Sequence, residues 1–206
     1  MLIIILWMAV FALVHSLTAD KRLKQWVINR FGERLYYGWY RMVYNIISVV
    51  MLAPLFLYMW SISKPLYALD GIIALVFRGL QIIGLIGATV SILQIDALRF
   101  AGLRQIIAYL NGDPLPLPNE PLKTDGLYGF VRHPLYFFSL MLLWFSPSMT
   151  TSGLIFNITA TLYFVFGSII EEGRMVDGYS QEYLSYRARV PWLLPLGSRQ
   201  IQRQKP

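Results

Sequence analysis

No cysteine occurs anywhere in the 206 residues, which excludes a disulfide framework, a cysteine-based metal site and a cysteine nucleophile. Charge is also scarce. Only 14% of residues are Asp, Glu, Lys or Arg, where a soluble domain carries nearer a quarter. The first apolar run has no basic segment before it and no small-residue cleavage site after it, so residues 1–17 are expected to stay as an anchor rather than leave as a signal peptide. Internal repeats and low-complexity tracts are missing. Without repeats, and without paired charges inside its apolar runs, the chain lacks the signature of a transporter.

What the chain has is apolar residues, 56% of the total, gathered in blocks rather than amphipathic stripes. A span needs roughly 20 such residues to cross a bilayer. Leu2–Leu17, Met42–Trp60, Ile72–Ile95, Leu135–Thr150 and Leu154–Ile170 are the candidates. The fourth and fifth are short and are expected to form one tight hairpin around Ser146-Pro147-Ser148. The expected fold is therefore all-α: a polytopic membrane helical bundle of about five transmembrane helices, or four, forming a single domain over residues 1–206.

Basic residues set the orientation. Lys21, Arg22, Lys24, Arg30, Arg34 and Arg41 follow the first span. Arg99, Arg104, Lys123 and Arg132 follow the third, and Arg174, Arg187, Arg189, Arg199, Arg203 and Lys205 follow the fifth. These place 16 of the 18 basic residues on one face, leaving Lys64 opposite and Arg78 inside a span. The expectation is an inner-membrane protein with its N-terminus outside and its C-terminus cytoplasmic. The net charge of +7 then reflects topology and lipid headgroups, not nucleic acid.

Between the spans, "DALRFAGLRQIIAYL" (residues 96–110) carries leucines and isoleucines at helical spacing, and reads as a short interfacial helix. The proline-rich "NGDPLPLPNEPLKTDG" after it excludes regular structure. Residues 174–189 are expected to continue the last helix, which Pro191 and Pro195 end.

Polar residues concentrate at "GLYGFVRHPLYFFSLMLL", residues 126–143. Proline is tolerated in the first turn of a helix, so His133 becomes the N-cap and Pro134 the first helical residue. The N–H groups that follow make an anion site. Gly126 and Gly129 let the preceding chain turn closely, Arg132 and His133 add donors, and Tyr128 and Tyr136 offer aromatic faces. Glu171 and Glu172 form a second cluster where the fifth span ends. Carboxylates at a membrane boundary point to a functional site. An anion pocket, aromatic faces and a carboxylate suit S-adenosyl-L-methionine; by chemistry alone a phospholipid headgroup fits nearly as well.

With "EEGRMVDGYSQEYLSYRARVPWLLP" following it, this motif resembles the isoprenylcysteine carboxyl methyltransferase superfamily of integral-membrane enzymes. The first half, with "FALVHSL" and "YRMVYNIISV", looks like bacterial members and thiol S-methyltransferase relatives. The resemblance covers residues 96–195, the expected catalytic half. It implies a cofactor pocket for S-adenosylmethionine at the cytoplasmic face, with Tyr128, His133, Pro134, Leu135, Tyr136 and Glu171 as contacts. It implies an acceptor that enters from the bilayer, and no metal. This sequence departs from the pattern at Tyr179-Ser180, where the family usually has Phe-Gly. It departs again at Gly167, where eukaryotic members carry an acceptor-binding arginine.

A thiol acceptor needs a proton removed, and Glu172 and His15 are the candidate bases. Arg132, Gly167 and Arg104 are the candidate substrate-side residues. The resulting expectation is methyl transfer to a lipophilic or small acceptor, with thiol sulfur favoured because the lining is apolar. A prenylcysteine carboxylate is the alternative acceptor, and a non-enzymatic lipid-binding or accessory membrane protein is the alternative role.

Overall fold

The computed structural model describes residues 1–196; Arg199, Arg203 and Lys205 lie outside them. Nine helices and two short strands follow one another among the described residues, so the fold is all-α apart from one small ribbon. Four helices are long and apolar enough to cross a membrane: α1 (Leu2–Ala19), α3 (Glu33–Ser61), α4 (Gly71–Leu93) and α9 (Thr151–Arg189). The expected fourth span is shorter than a crossing requires. It is α8 (Pro134–Trp144), whose 11 residues rise only about 16 Å. Phe145 ends it, and the chain turns through residues 146–147 into β2 (Ser148–Thr150), which pairs with β1 (Pro65–Ala68).

The chain divides into two compact units. The first comprises Met1–Leu66, Asp96–Asn119 and Thr150–Thr159; the second comprises Tyr67–Ile95, Glu120–Met149 and the chain from Ala160 on.

In the first unit, α1 lies along α3, and polar side chains join them at intervals. The Trp7 indole donates to Met51 O at 2.8 Å, and the Tyr40 hydroxyl donates to Thr18 O at 2.5 Å. Between α1 and α3 runs α2 (Lys21–Phe31), a basic helix with no long apolar run to announce it in the sequence. Asp20 caps it, accepting from Arg22 N at 2.8 Å.

The helix expected over residues 96–110 is two helices, α5 (Ala97–Ala101) and α6 (Leu103–Asn111). Gly102 breaks them at φ 95°, a left-handed conformation that glycine adopts at little cost. It also sits where a side chain would meet the backbone of Met42 at 2.6 Å. Two arginines of α3 hold this pair by its helix ends: Arg41 donates to Phe100 O, and Arg34 to Tyr109 O and Asp113 O. Such donors satisfy carbonyls that have no partner in the last turn of a helix.

In the second unit, α4 and α8 pack closely because glycines line the contact. A Cβ at Gly84 would stand 2.7 Å from Leu142 N, and one at Gly87 would run into the Phe138 ring. Small residues let backbones approach where water provides no drive for helices to associate. The Gln81 amide adds a bond to Leu142 O at 3.1 Å. This packing fixes α8, and with it the turn that precedes α8. No helix or strand interrupts residues 112–126, as the four prolines there require.

Candidate functional site

The turn over residues 126–134 is built from its glycine outward. Gly126 takes φ 61°, and Gln94 lies so close that a Cβ there would fall 2.5 Å from its amide. The same glutamine accepts from Leu127 N at 2.9 Å. A single helical turn follows, α7 (Leu127–Phe130), then Val131 in extended conformation and a bend at Arg132 before His133. Tyr128 folds toward α4 and donates to Ser91 O at 3.3 Å. Burial, and secondarily the charge of Glu171, pushes its phenol up to about 12.

His133 is the N-cap of α8 and Pro134 its first residue, and no side chain caps that end. The imidazole of His133, 7% exposed, lies between the two adjacent carboxylates. Nε2 stands 3.3 Å from Glu172 Oε1 and Nδ1 stands 3.7 Å from Glu171 Oε2. Tyr136 stacks on His133 with ring centroids 5.4 Å apart and on Phe164 at 5.0 Å, the planes within 2° and 12° of parallel. Its ring is thus engaged by two neighbours. Its hydroxyl donates to Glu171 Oε2 at 2.9 Å.

The two glutamates part company. Glu171 is 48% exposed at its side chain and Glu172 only 10%. Glu172 faces three cationic or hydrogen-bonding groups: Arg132 Nε at 3.1 Å, Arg187 Nε at 3.6 Å and His133. The Arg132 contact is a charge pair whose geometry does not align as a hydrogen bond. Arg132 also ties the turn to the tail, since its backbone N–H donates to Pro191 O at 2.9 Å and Trp192 O at 3.1 Å. The Tyr186 hydroxyl donates to Tyr128 O at 2.6 Å and that of Tyr179 to Glu120 O at 3.0 Å. Tyr183, 2% exposed, packs edge-on to Tyr186 at 5.8 Å.

Tyr128, Arg132, His133, Tyr136, Glu171 and Glu172 therefore belong to one unit and, through the contacts above, to one cluster, with Pro134 and Leu135 in the first turn of α8 beside them. Gly167 has open space where a side chain would stand. Arg187 is the member missed in the sequence; its only signal was its place after the spaced tyrosines of the tail.

The other two candidates belong to the first unit. Arg104 pairs with Asp96, which caps α5 by accepting from Arg99 N at 3.0 Å; the Arg104 hydrogen bond holds the Asp96 carboxyl below its usual value. His15 bonds through both ring nitrogens. Ser48 Oγ gives its proton to Tyr44 O and so accepts from His15 Nδ1 at 3.1 Å, which leaves Nε2 to accept the Tyr44 hydroxyl.

The chain is 31% identical over 194 residues to methanethiol S-methyltransferase 2 of Bradyrhizobium diazoefficiens, covering 94% of this chain and 73% of that protein. It is 30% identical over 190 residues to the methanethiol S-methyltransferase of Crocosphaera subtropica, covering 91% and 72%. No solved structure matches. The family described as NnrU protein matches residues 3–176, most of the length, and the chain belongs to that family.

Proposed function

We propose that this protein is an integral-membrane, S-adenosyl-L-methionine-dependent methyltransferase whose acceptor is a small or lipophilic thiol. Relatives named methanethiol S-methyltransferase, aligned along nine-tenths of the chain, support the reaction class and the thiol. The distribution of basic residues supports an inner-membrane location with the N-terminus outside and the C-terminus cytoplasmic.

The donor set fits the cofactor. S-Adenosylmethionine is a zwitterion with an aromatic base, and the turn offers a helix N-terminus without a side-chain cap, an exposed carboxylate at Glu171 and an imidazole. Tyr128, His133, Pro134, Leu135, Tyr136 and Glu171 are the residues assigned to hold it. Bound there, it supplies an electrophilic methyl group on a positively charged sulfur. The chain's own contribution is to orient the partners and exclude water, which together account for most of the help such a displacement needs. Transfer would break the cofactor's S–CH3 bond as the new S–C bond forms, leaving S-adenosylhomocysteine, and the acceptor thiol would release its proton to bulk water; a carboxylate is already ionised at neutral pH.

One observation carries the preference for a thiol. Of the cations that the sequence offered for an acceptor carboxylate, Arg132 is paired with Glu172, Arg104 is paired with Asp96 and Arg174 is exposed on α9, while position 167 is glycine. An anion entering an apolar site without a partner is costly; a thiol enters neutral. Glu172, surrounded by two guanidinium groups, is assigned to holding Arg132 and the tail in place rather than to taking a proton. His15, engaged through both ring nitrogens, joins α1 to α3.

Purified protein given tritiated S-adenosylmethionine, with methanethiol and a farnesylated cysteine analogue in parallel, should label the thiol. Methyl ester on the prenylcysteine and none on the thiol overturns the assignment.

A further inference from the structure

We infer that α2 is a binding surface for anionic phospholipid headgroups, built around the row Arg22, Trp26 and Arg30. The inference is independent of the methyltransferase reading.

The position of α2 follows from its joints. A single residue, Asp20, separates it from α1, and a single residue, Gly32, separates it from α3. Both neighbours are long and apolar enough to span a membrane. A helix tied this tightly between the end of one span and the start of the next has to lie at the boundary where both leave the hydrocarbon.

Composition along the helix then selects the partner. Its 11 residues contain Lys21, Arg22, Lys24 and Arg30 and no acidic residue. None of its residues is buried. Leu23, Lys24, Val27 and Ile28 are half-buried, while Lys21, Arg22, Gln25, Trp26, Asn29 and Arg30 are exposed. Arg22, Trp26 and Arg30 stand four residues apart and so form one row along the outer face. The amide of Gln25 bonds that of Asn29 at 3.0 Å, which organises the adjacent row.

At the end of the helix, the Arg30 guanidinium lies 5.6 Å from the Phe31 ring centre, and Trp26 meets Phe31 edge-on at 6.2 Å. Trp26 is 57% exposed and Phe31 54%. Cations for phosphates, interleaved with aromatic rings suited to the headgroup layer, match an anionic lipid surface in both charge and polarity. A folded protein partner would call for a central apolar cluster, and here the indole is flanked by guanidinium groups.

Native mass spectrometry of the full chain released from nanodiscs tests this, comparing phosphatidylglycerol with phosphatidylcholine. Wild type should retain phosphatidylglycerol preferentially. The double variant Arg22→Gln/Arg30→Gln should lose that preference by about fivefold per charge removed. Arg174→Gln/Arg189→Gln, which removes equal charge from the tail, should keep it.

A second measurement needs no arginine variant. The fluorescence lost in Trp26→Phe should be a fraction of wild-type emission that phospholipids brominated close to the headgroup quench. Equal lipid preference in wild type and the α2 variant, an equal loss in the tail variant, or an unquenched Trp26 each overturns the inference.

Discussion

The hydroxyl of Tyr136 donates to Glu171 Oε2 at 2.9 Å, while the next residue along, Glu172, turns its carboxylate inward to Arg132 at 3.1 Å. Neighbours in the chain thus stand in different settings, Glu171 half exposed beside Tyr136 and Glu172 enclosed between the turn and the tail.

Replacing Tyr136 by Phe leaves the rings on His133 and Phe164 in place and removes only the hydroxyl. Because Glu171 is half exposed, the lost bond should weaken S-adenosylhomocysteine binding by about 1 kcal/mol, roughly fivefold. Calorimetry on the solubilised protein reads this, and Glu171→Gln should weaken binding at least as much. Unchanged affinity in both variants removes Glu171 from the cofactor site.

Glu172→Gln acts on stability instead. It leaves Arg132, 10% exposed at its side chain, without its counter-charge, and breaking a buried pair from one side costs about 3 kcal/mol. Its melting temperature in detergent should fall well below that of Glu171→Gln. Equal melting of the two variants would refute the division of roles.

Ser180 interrupts α9 at φ 47° and ψ −121°, a conformation that glycine adopts with far less strain than serine. Ser180→Gly should therefore raise stability by up to about 1 kcal/mol, visible as a higher melting temperature. The opposite sign would mean that the serine side chain contributes more than the backbone strain removes.

Gly87→Val forces a branched side chain into Phe138 where α4 meets α8. Overpacking of this kind costs about 1–3 kcal/mol, and Gly79→Val, with open space at that position, is the control. A loss of stability common to both would point to helix propensity, not packing.

The raised pKa of Tyr128 predicts an alkaline effect. Its phenol titrates at about 12 in the folded chain against about 10 when unfolded. The stability this represents is complete below pH 10 and disappears as pH rises toward 12. Tyr128→Phe should reduce the slope of that part of the stability curve, to which Tyr183 and Tyr186, also raised by burial, contribute the rest; an unchanged slope would exclude Tyr128 as a source.

Much of this was legible in the sequence. Long apolar runs announce α1, α3 and α4 because a bilayer admits little else, and His133-Pro134 marks a helix start because proline has no N–H to lose. The tail tyrosines, too, stand out from an apolar background. Two features were hidden: α2, whose short basic pattern carries no span signal, and α8, whose apolar run overstates the length of the helix.

Which glutamate is enclosed was undetermined in the sequence, where Glu171 and Glu172 are the same residue type side by side and only the family resemblance set them apart, Glu171 as a cofactor contact and Glu172 as a candidate base. Successive positions on a helix point about 100° apart, so α9 cannot turn both carboxylates the same way. Only the packing of Arg132, and of Arg187 from beyond the Ser180 kink, decides that Glu172 is enclosed and Glu171 left facing out.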